Sequence, residues 1–202
     1  MFINLLLNNP ILFVLAASAL ILSISVHEFA HAYAANKLGD FTAKYLGRLT
    51  LNPLAHLDPV GTILLLTVGF GWGKPVPYNP ANLKNPARDG AIIAFSGPLS
   101  NFILAISFAA FMHFLPLPSI VTSLFYLIVS YNLILGFFNL IPIFPLDGFN
   151  IVTGLLPHRL RAQWLQMATF SMIFLIILVI TGVTSKILNP VLNISLTILG
   201  LQ

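Results

Sequence analysis

The chain has 202 residues, 58% of them hydrophobic and only 7% charged, where a soluble domain carries roughly 25% charged residues. Its 9 Lys+Arg and 5 Asp+Glu cannot coat a water-soluble surface. An ordinary cytosolic enzyme, a disordered chain and a secreted disulfide scaffold are thereby excluded, and a polytopic membrane protein remains. With no cysteine there is no disulfide, no thiolate metal site and no cysteine nucleophile. The net charge of +4 comes in ones and twos between apolar runs. That is the loop bias of a membrane protein rather than the footprint of a nucleic-acid binder.

In chain order, the first apolar run is long enough to cross a bilayer, spanning about 10–36. No Lys or Arg precedes Lys37, so the run is expected to be a membrane span and not a signal peptide. Residues 37–59 are polar and broken, with Leu49-Thr50-Leu51 as a candidate short strand. Residues 61–70 are apolar but too short to span, and are expected to form a re-entrant or interfacial segment. Four prolines and three cations make 71–90 an irregular loop, with an extended edge expected over 74–78. Further spans are expected at about 90–114, 120–140 and 164–183, and the tail after Lys186 carries Pro190. Trp72, Trp164, His113 and His158 fall at segment ends and read as interface residues.

Positive charge orients these spans. Lys37, Lys44, Arg48, Lys74, Lys84 and Arg88 lie between the first two, and Arg159 and Arg161 follow the third. The 115–119 turn has no Lys or Arg. Three alternating spans then place the N-terminus outside the cell membrane and the 37–90 and 148–163 loops in the cytoplasm.

Glu28 is the only glutamate, and it lies in an apolar run between His27 and His31. Ionisable groups at membrane depth are costly, and are usually paired, metal-bound or functional. Histidines four apart share one helix face, so both can ligate one zinc ion. Glu28 is adjacent to that face. In an H-E-x-x-H arrangement zinc lowers the pKa of a bound water and the glutamate takes its proton. A chance match, or a polar helix end at the interface, is the bland alternative. A catalytic zinc needs a third protein ligand. Asp147 ends the third span on the same side as the histidine pair, so the three can meet. Read alone, Asp147-Gly148 is a common turn pair.

His27-Glu28-Phe29-Ala30-His31, together with Asn139-x-x-Pro142-x-x-Pro145-Leu146-Asp147-Gly148, resembles the site-2 protease family of intramembrane zinc metalloproteases. Gly97-Pro98-Leu99-Ser100-Asn101 is similar to the family's G-P-x-x-N element. The likeness covers residues 10–150. It implies one Zn2+ per chain held by His27, His31 and Asp147, with Glu28 as catalytic base. It also implies cleavage of membrane-protein or peptide substrates within the lipid bilayer. Asn139 is then expected to contact substrate backbone or the developing oxyanion, or else to pack helices. Asn101 is expected to bond helix to helix. Unlike many members, the chain is expected to lack a PDZ insertion and a span before the H-E-x-x-H helix.

The expected fold is an all-α polytopic membrane protein forming a single membrane-embedded domain over 1–202. A three-helix catalytic core is joined by one or more C-terminal membrane helices, with a short re-entrant or β segment between the first two spans. His56 and Asp58, two apart in a Pro-flanked loop, match no strong ligand template. Serine, aspartyl and di-iron membrane enzymes fail on inventory: no activated Ser, one membrane Asp, too few His. A metal-binding membrane protein without proteolysis, a transporter or a silent regulator, would use the same three ligands. Glu28 separates the two readings, because a pure binding site needs no base beside the water.

Overall fold

Two Asn-Pro pairs start the two longest helices. In the computed structural model, which describes residues 2–68 and 71–201, the Asn9 side chain accepts from Leu12 N at 3.0 Å and the Asn85 side chain from Arg88 N at 3.4 Å. In both, proline takes the first helical position, where its missing N–H costs nothing. A short helix α1 (Phe2–Asn8) leads into α2 (Pro10–Lys37). A single helical turn, α3 (Thr42–Tyr45), and α4 (Pro59–Val68) follow. Next come α5 (Pro86–Phe114) and α6 (Ser119–Asn139). Helices α2, α5 and α6 are long and apolar enough to cross a membrane. The rest of the chain adds α7 (Asp147–Leu155), α8 (His158–Gln166), α9 (Ala168–Ile180) and α10 (Val183–Ile198).

The core is the mutual packing of α2, α5 and α6, with α7 laid against α5. Small residues let the backbones approach: Ala16, Ala19, Ala32 and Ala35 on α2, and Ala94, Ala105 and Ala109 on α5, are buried. Leucine, isoleucine and phenylalanine point outward on the same helices, with Ile11, Ile103, Phe111 and Ile120 all exposed. In a membrane protein that face meets lipid.

Between α2 and α5, the β alternative reduces to one isolated antiparallel bridge, Leu57 to Gly73. Among the described residues there is no strand. Leu49-Thr50-Leu51 is not one, because Thr50 O accepts from the His56 ring and Asn52 opens a 3-10 turn over Pro53–Ala55. The 61–70 segment begins inside α4, whose ten residues fall short of a span and which packs against α1. Gly69 and Phe70 lie outside the described residues. The expected second and third spans lengthen or shift slightly, to start at Pro86 and Ser119.

The region expected as a fourth span over 164–183 holds the end of one helix and the whole of the next, not one straight rod. Helices α8 and α9 meet at a 56° bend around Met167. The cause is local: α8 is tied to the end of α7. Arg161 donates to Thr153 O and Leu156 O at 3.0 and 3.1 Å, closing the α7 C-terminus. Trp164 donates to Phe149 O at 3.1 Å and stacks on the Phe149 ring. Trp164 therefore braces α7, beyond the interface role expected of it. Gly182 (φ +72°) turns the chain into α10, which packs on α6. His113 bonds Leu199 O at 2.7 Å and so fastens the α10 end to α5.

Candidate metal centre

Span parity brings three groups to one end of the bundle. His27 and His31 lie one turn apart on α2, and Asp147 opens α7 just beyond α6. Ten residues separate His27 from Lys37, about 15 Å of helix at about 1.5 Å per residue. His27 Nε2 and His31 Nε2 are 3.0 Å apart. Asp147 Oδ2 is 3.1 Å from the first and 3.3 Å from the second. Among the described residues this is the only His/Asp/Glu trio close enough to share an ion.

Asp147 reaches the pair because Gly148 lets the chain fold back. A Cβ there would overlap the Leu140 carbonyl, so the Asp-Gly pair is a packing requirement as well as a turn preference. Helix α7 is also held close to α5. At Gly154 a side chain would overlap Ala87 O and the Ala91 methyl.

Each histidine is oriented through its other ring nitrogen. His31 Nδ1 is 2.7 Å from Ile93 O, a carbonyl that can only accept. His31 is therefore an Nδ1–H tautomer, with its Nε2 lone pair turned to the trio. His27 Nδ1 is 2.6 Å from Asn101 Oδ1, which sets the same tautomer. Both rings are buried, and Gly97 on α5 lies directly against them.

Glu28, half-buried, points to the 73–78 segment. Its Oε2 accepts from Val76 N at 3.1 Å. That segment is extended and held from below: Lys74 N donates to His56 O at 2.8 Å, and buried Arg48 donates to the Lys74 and Pro75 carbonyls. Its far end is pinned by Asp40, which accepts from Asn79 N at 2.8 Å and from the Asn82 amide at 2.7 Å.

The remaining candidates make no hydrogen bond to the trio. Asn139, at the end of α6, donates to Leu135 O at 3.0 Å. The fully buried His56 bonds Thr50 O, and Asp58 caps the start of α4 by accepting from Gly61 N. Neither belongs to the His27–His31–Asp147 cluster. Asn101 does bond helix to helix, as expected, and its Oδ1 also holds a trio histidine. Sequence reasoning passed over Ser23 and Asn132, which join the same buried network. An amide in the middle of an apolar span was the available signal.

The family model for Peptidase family M50 matches residues 116–180, which include α6 and Asp147. A Bacillus subtilis (strain 168) protein named "Putative zinc metalloprotease YwhC" is 43% identical over 183 residues, covering 86% of this chain and 84% of the relative. The chain belongs to peptidase family M50. Zinc metalloprotease MJ0392 of Methanocaldococcus jannaschii is 29% identical over 153 residues, covering 76% of this chain and 38% of that protein. No solved structure matches the chain. As an M50 member, it is a membrane-bound zinc metalloprotease.

The trio fits that metal. Tetrahedral ligands at about 2.0–2.1 Å from zinc stand about 3.3 Å from one another, close to the 3.0–3.3 Å measured here. Asp147 Oδ2 is buried without a hydrogen-bond donor. An anionic oxygen left so, facing two lone-pair nitrogens, suits a cation between them.

Proposed function

We propose that this M50 metalloprotease is an intramembrane endopeptidase, folded as a single membrane-embedded domain over 1–202. It cleaves peptide bonds in or near the transmembrane segments of membrane-protein substrates. Its zinc is assigned to His27, His31 and Asp147. The observation that carries the reading is the packing of these three ligand atoms within 3.3 Å of one another, the two histidines about 9 and 15 Å of helix in from the end of α2.

Bound zinc supplies Lewis acidity, making water a nucleophile near neutral pH and polarising the scissile carbonyl. Glu28 takes the proton of the attacking water and returns it to the leaving amine. The amide of Asn139 has two hydrogens; one bonds Leu135 O, and the other is assigned to the substrate backbone or developing oxyanion. A substrate helix must unwind locally, since its carbonyls are already hydrogen-bonded. The extended 74–78 segment offers a backbone edge against which an unwound strand can lie.

The orientation proposed has the N-terminus extracytoplasmic and the zinc site towards the cytoplasm. It is supported by Lys37, Arg48, Lys74, Lys84 and Arg88, all at the metal end of the core helices.

Zinc content of the purified protein, followed by cleavage of a membrane-helix substrate in liposomes with and without chelator, tests the reading. About one zinc per chain and chelator-sensitive cleavage are expected. Retained zinc with no cleavage across a broad substrate panel would favour a non-proteolytic metal-binding protein instead.

A further inference from the structure

Three side chains behind the metal trio are fully buried and polar: Ser23 on α2, Asn101 on α5 and Asn132 on α6. Each belongs to a different core helix. Their hydrogen bonds form one chain with a single direction. Ser23 Oγ donates to Ala19 O at 2.7 Å, so it must accept from its other neighbour. That neighbour is Asn132 Nδ2, at 2.7 Å. Asn132 Nδ2 also faces Ile128 O at 2.8 Å, an acceptor. Both contacts demand the amide nitrogen on that side, so Asn132 Oδ1 must face Asn101.

The same logic then fixes Asn101. Its Nδ2 donates to Asn132 Oδ1 at 2.7 Å and to Ser23 O at 3.3 Å. Its Oδ1 is thereby turned to His27 Nδ1, 2.6 Å away. Flipping Asn101 would set an N–H against His27 Nδ1. The ring would then favour the tautomer with hydrogen on Nε2, which has no lone pair for a metal. The two trio histidines differ here. His31 is oriented by the backbone carbonyl of Ile93, whereas His27 depends on a side chain that could rotate.

We propose that Asn132 is a positioning residue for the metal centre: by locking the Asn101 amide it holds His27 as the Nδ1–H tautomer, with Nε2 towards zinc. This rests on His27 being a zinc ligand. Asn132 lies one side chain removed from the ring and acts only through Asn101. Outer partners of ligating histidines typically change metal affinity by about 10–100-fold.

The test exploits the symmetry of a carboxylate. Asn132→Leu keeps the volume but removes the shorter of the two bonds that hold the Asn101 amide, leaving only the 3.3 Å contact with Ser23 O to oppose a flip. Asn101→Asp presents oxygen to His27 whichever way it turns, so it should need no lock. The measurements are zinc affinity by chelator competition and the visible absorption of the Co2+-substituted protein, both on the purified full chain.

Asn132→Leu should bind zinc roughly 10-fold or more weakly and alter the Co2+ spectrum. Asn101→Asp/Asn132→Leu should return affinity to within a few-fold of wild type. Unchanged affinity and spectrum in Asn132→Leu would overturn the proposal. So would a loss that persists undiminished in the double variant, since that is the mark of a packing role. His27→Ala is the control for the underlying assignment. Wild-type zinc binding in His27→Ala removes the ligand reading itself. Zinc loss in His27→Ala with none in Asn132→Leu removes only the lock.

Discussion

Gly97 and His31 meet where a side chain is missing: a Cβ on Gly97 would lie 2.5 Å from His31 Nε2, and 2.6 Å from His27 Cε1. Helix α5 thus forms the wall of the metal site, close enough that only hydrogen fits. Alanine is the better helix former by about 1 kcal/mol, so helix propensity cannot explain a loss in Gly97→Ala. The methyl must push one imidazole away. The variant should fold and insert normally while zinc affinity falls about tenfold or more. Zinc stoichiometry against chelator concentration reads this directly. Wild-type retention would show that the rings have room the geometry denies them.

Glu28 is the only glutamate in the chain, and its carboxylate faces the Val76 N–H. Glu28→Gln preserves shape but cannot accept a proton. Cleavage should fall by at least about 100-fold, within the usual contribution of a general base, with zinc content unchanged. Near-wild-type cleavage by Glu28→Gln would end its assignment as the base.

The clustering of the candidate ligands was legible in sequence to the extent that it depends on helical periodicity and span parity. His27 and His31 share a face because 3.6-residue periodicity requires it. Asp147 could be brought to them because odd-numbered spans end on one side. What helix rotation decides was not legible. Asn101 and Asn132 stand out as amides in apolar runs, but only the mutual packing of α2, α5 and α6 says that one holds a histidine and the other holds it. Ile93 contributes through its carbonyl, which carries no side-chain signature at all. The bend at Met167 was missed for a related reason: the 164–183 run carries no charge to mark a break, and the bonds that redirect α8 come from Arg161 and Trp164 reaching back to α7.

Asp40 gives a pH-dependent outcome away from the zinc. Burial disfavours its charge, but donors from Thr42, Asn82 and Asn79 outweigh that and hold its carboxyl below the ordinary value of 3.8. A carboxyl lowered in the folded state contributes stability that is complete above its unfolded pKa. That stability is lost as pH falls through the folded value. The 79–82 attachment should therefore stay closed at neutral pH and loosen in acid, below about pH 4. Asp40→Asn turns one acceptor into a donor facing these groups, and should loosen the segment already at pH 7, by about 1–3 kcal/mol. Amide hydrogen exchange at Asn79 and Leu83 measures both effects. Equal protection in variant and wild type at pH 7 would show that Asp40 does not hold the loop.

Topology has its own check. Reporter fusions at residues 80 and 160 should read cytoplasmic and a fusion at residue 117 extracytoplasmic. The 37–90 and 148–163 segments hold eight cations, Lys37, Lys44, Arg48, Lys74, Lys84, Arg88, Arg159 and Arg161, and the 115–119 turn has none. Reversed reporter signs would move the zinc site to the outer face.

Asp147 decides between a metal ligand and a turn residue, because the two roles respond oppositely to asparagine. As a ligand, Asp147 supplies the anionic oxygen 3.1 and 3.3 Å from the two histidine nitrogens. Asp147→Ala removes that oxygen and its charge together, so zinc affinity should collapse and cleavage vanish. Asp147→Asn keeps the size and offers a neutral, weaker oxygen; zinc binding should be intermediate and cleavage strongly reduced. As a turn residue, asparagine would serve nearly as well as aspartate, and Asp147→Asn would be almost silent. Gly148 supplies the control for the fold-back, since a Cβ there overlaps the Leu140 carbonyl. Gly148→Ala should displace Asp147 without touching its chemistry and so lower zinc affinity by itself. Zinc stoichiometry and cleavage for the three variants, beside His31→Ala, settle the matter. Full occupancy and activity in Asp147→Asn would strike Asp147 from the ligand set and leave the two histidines without their third partner.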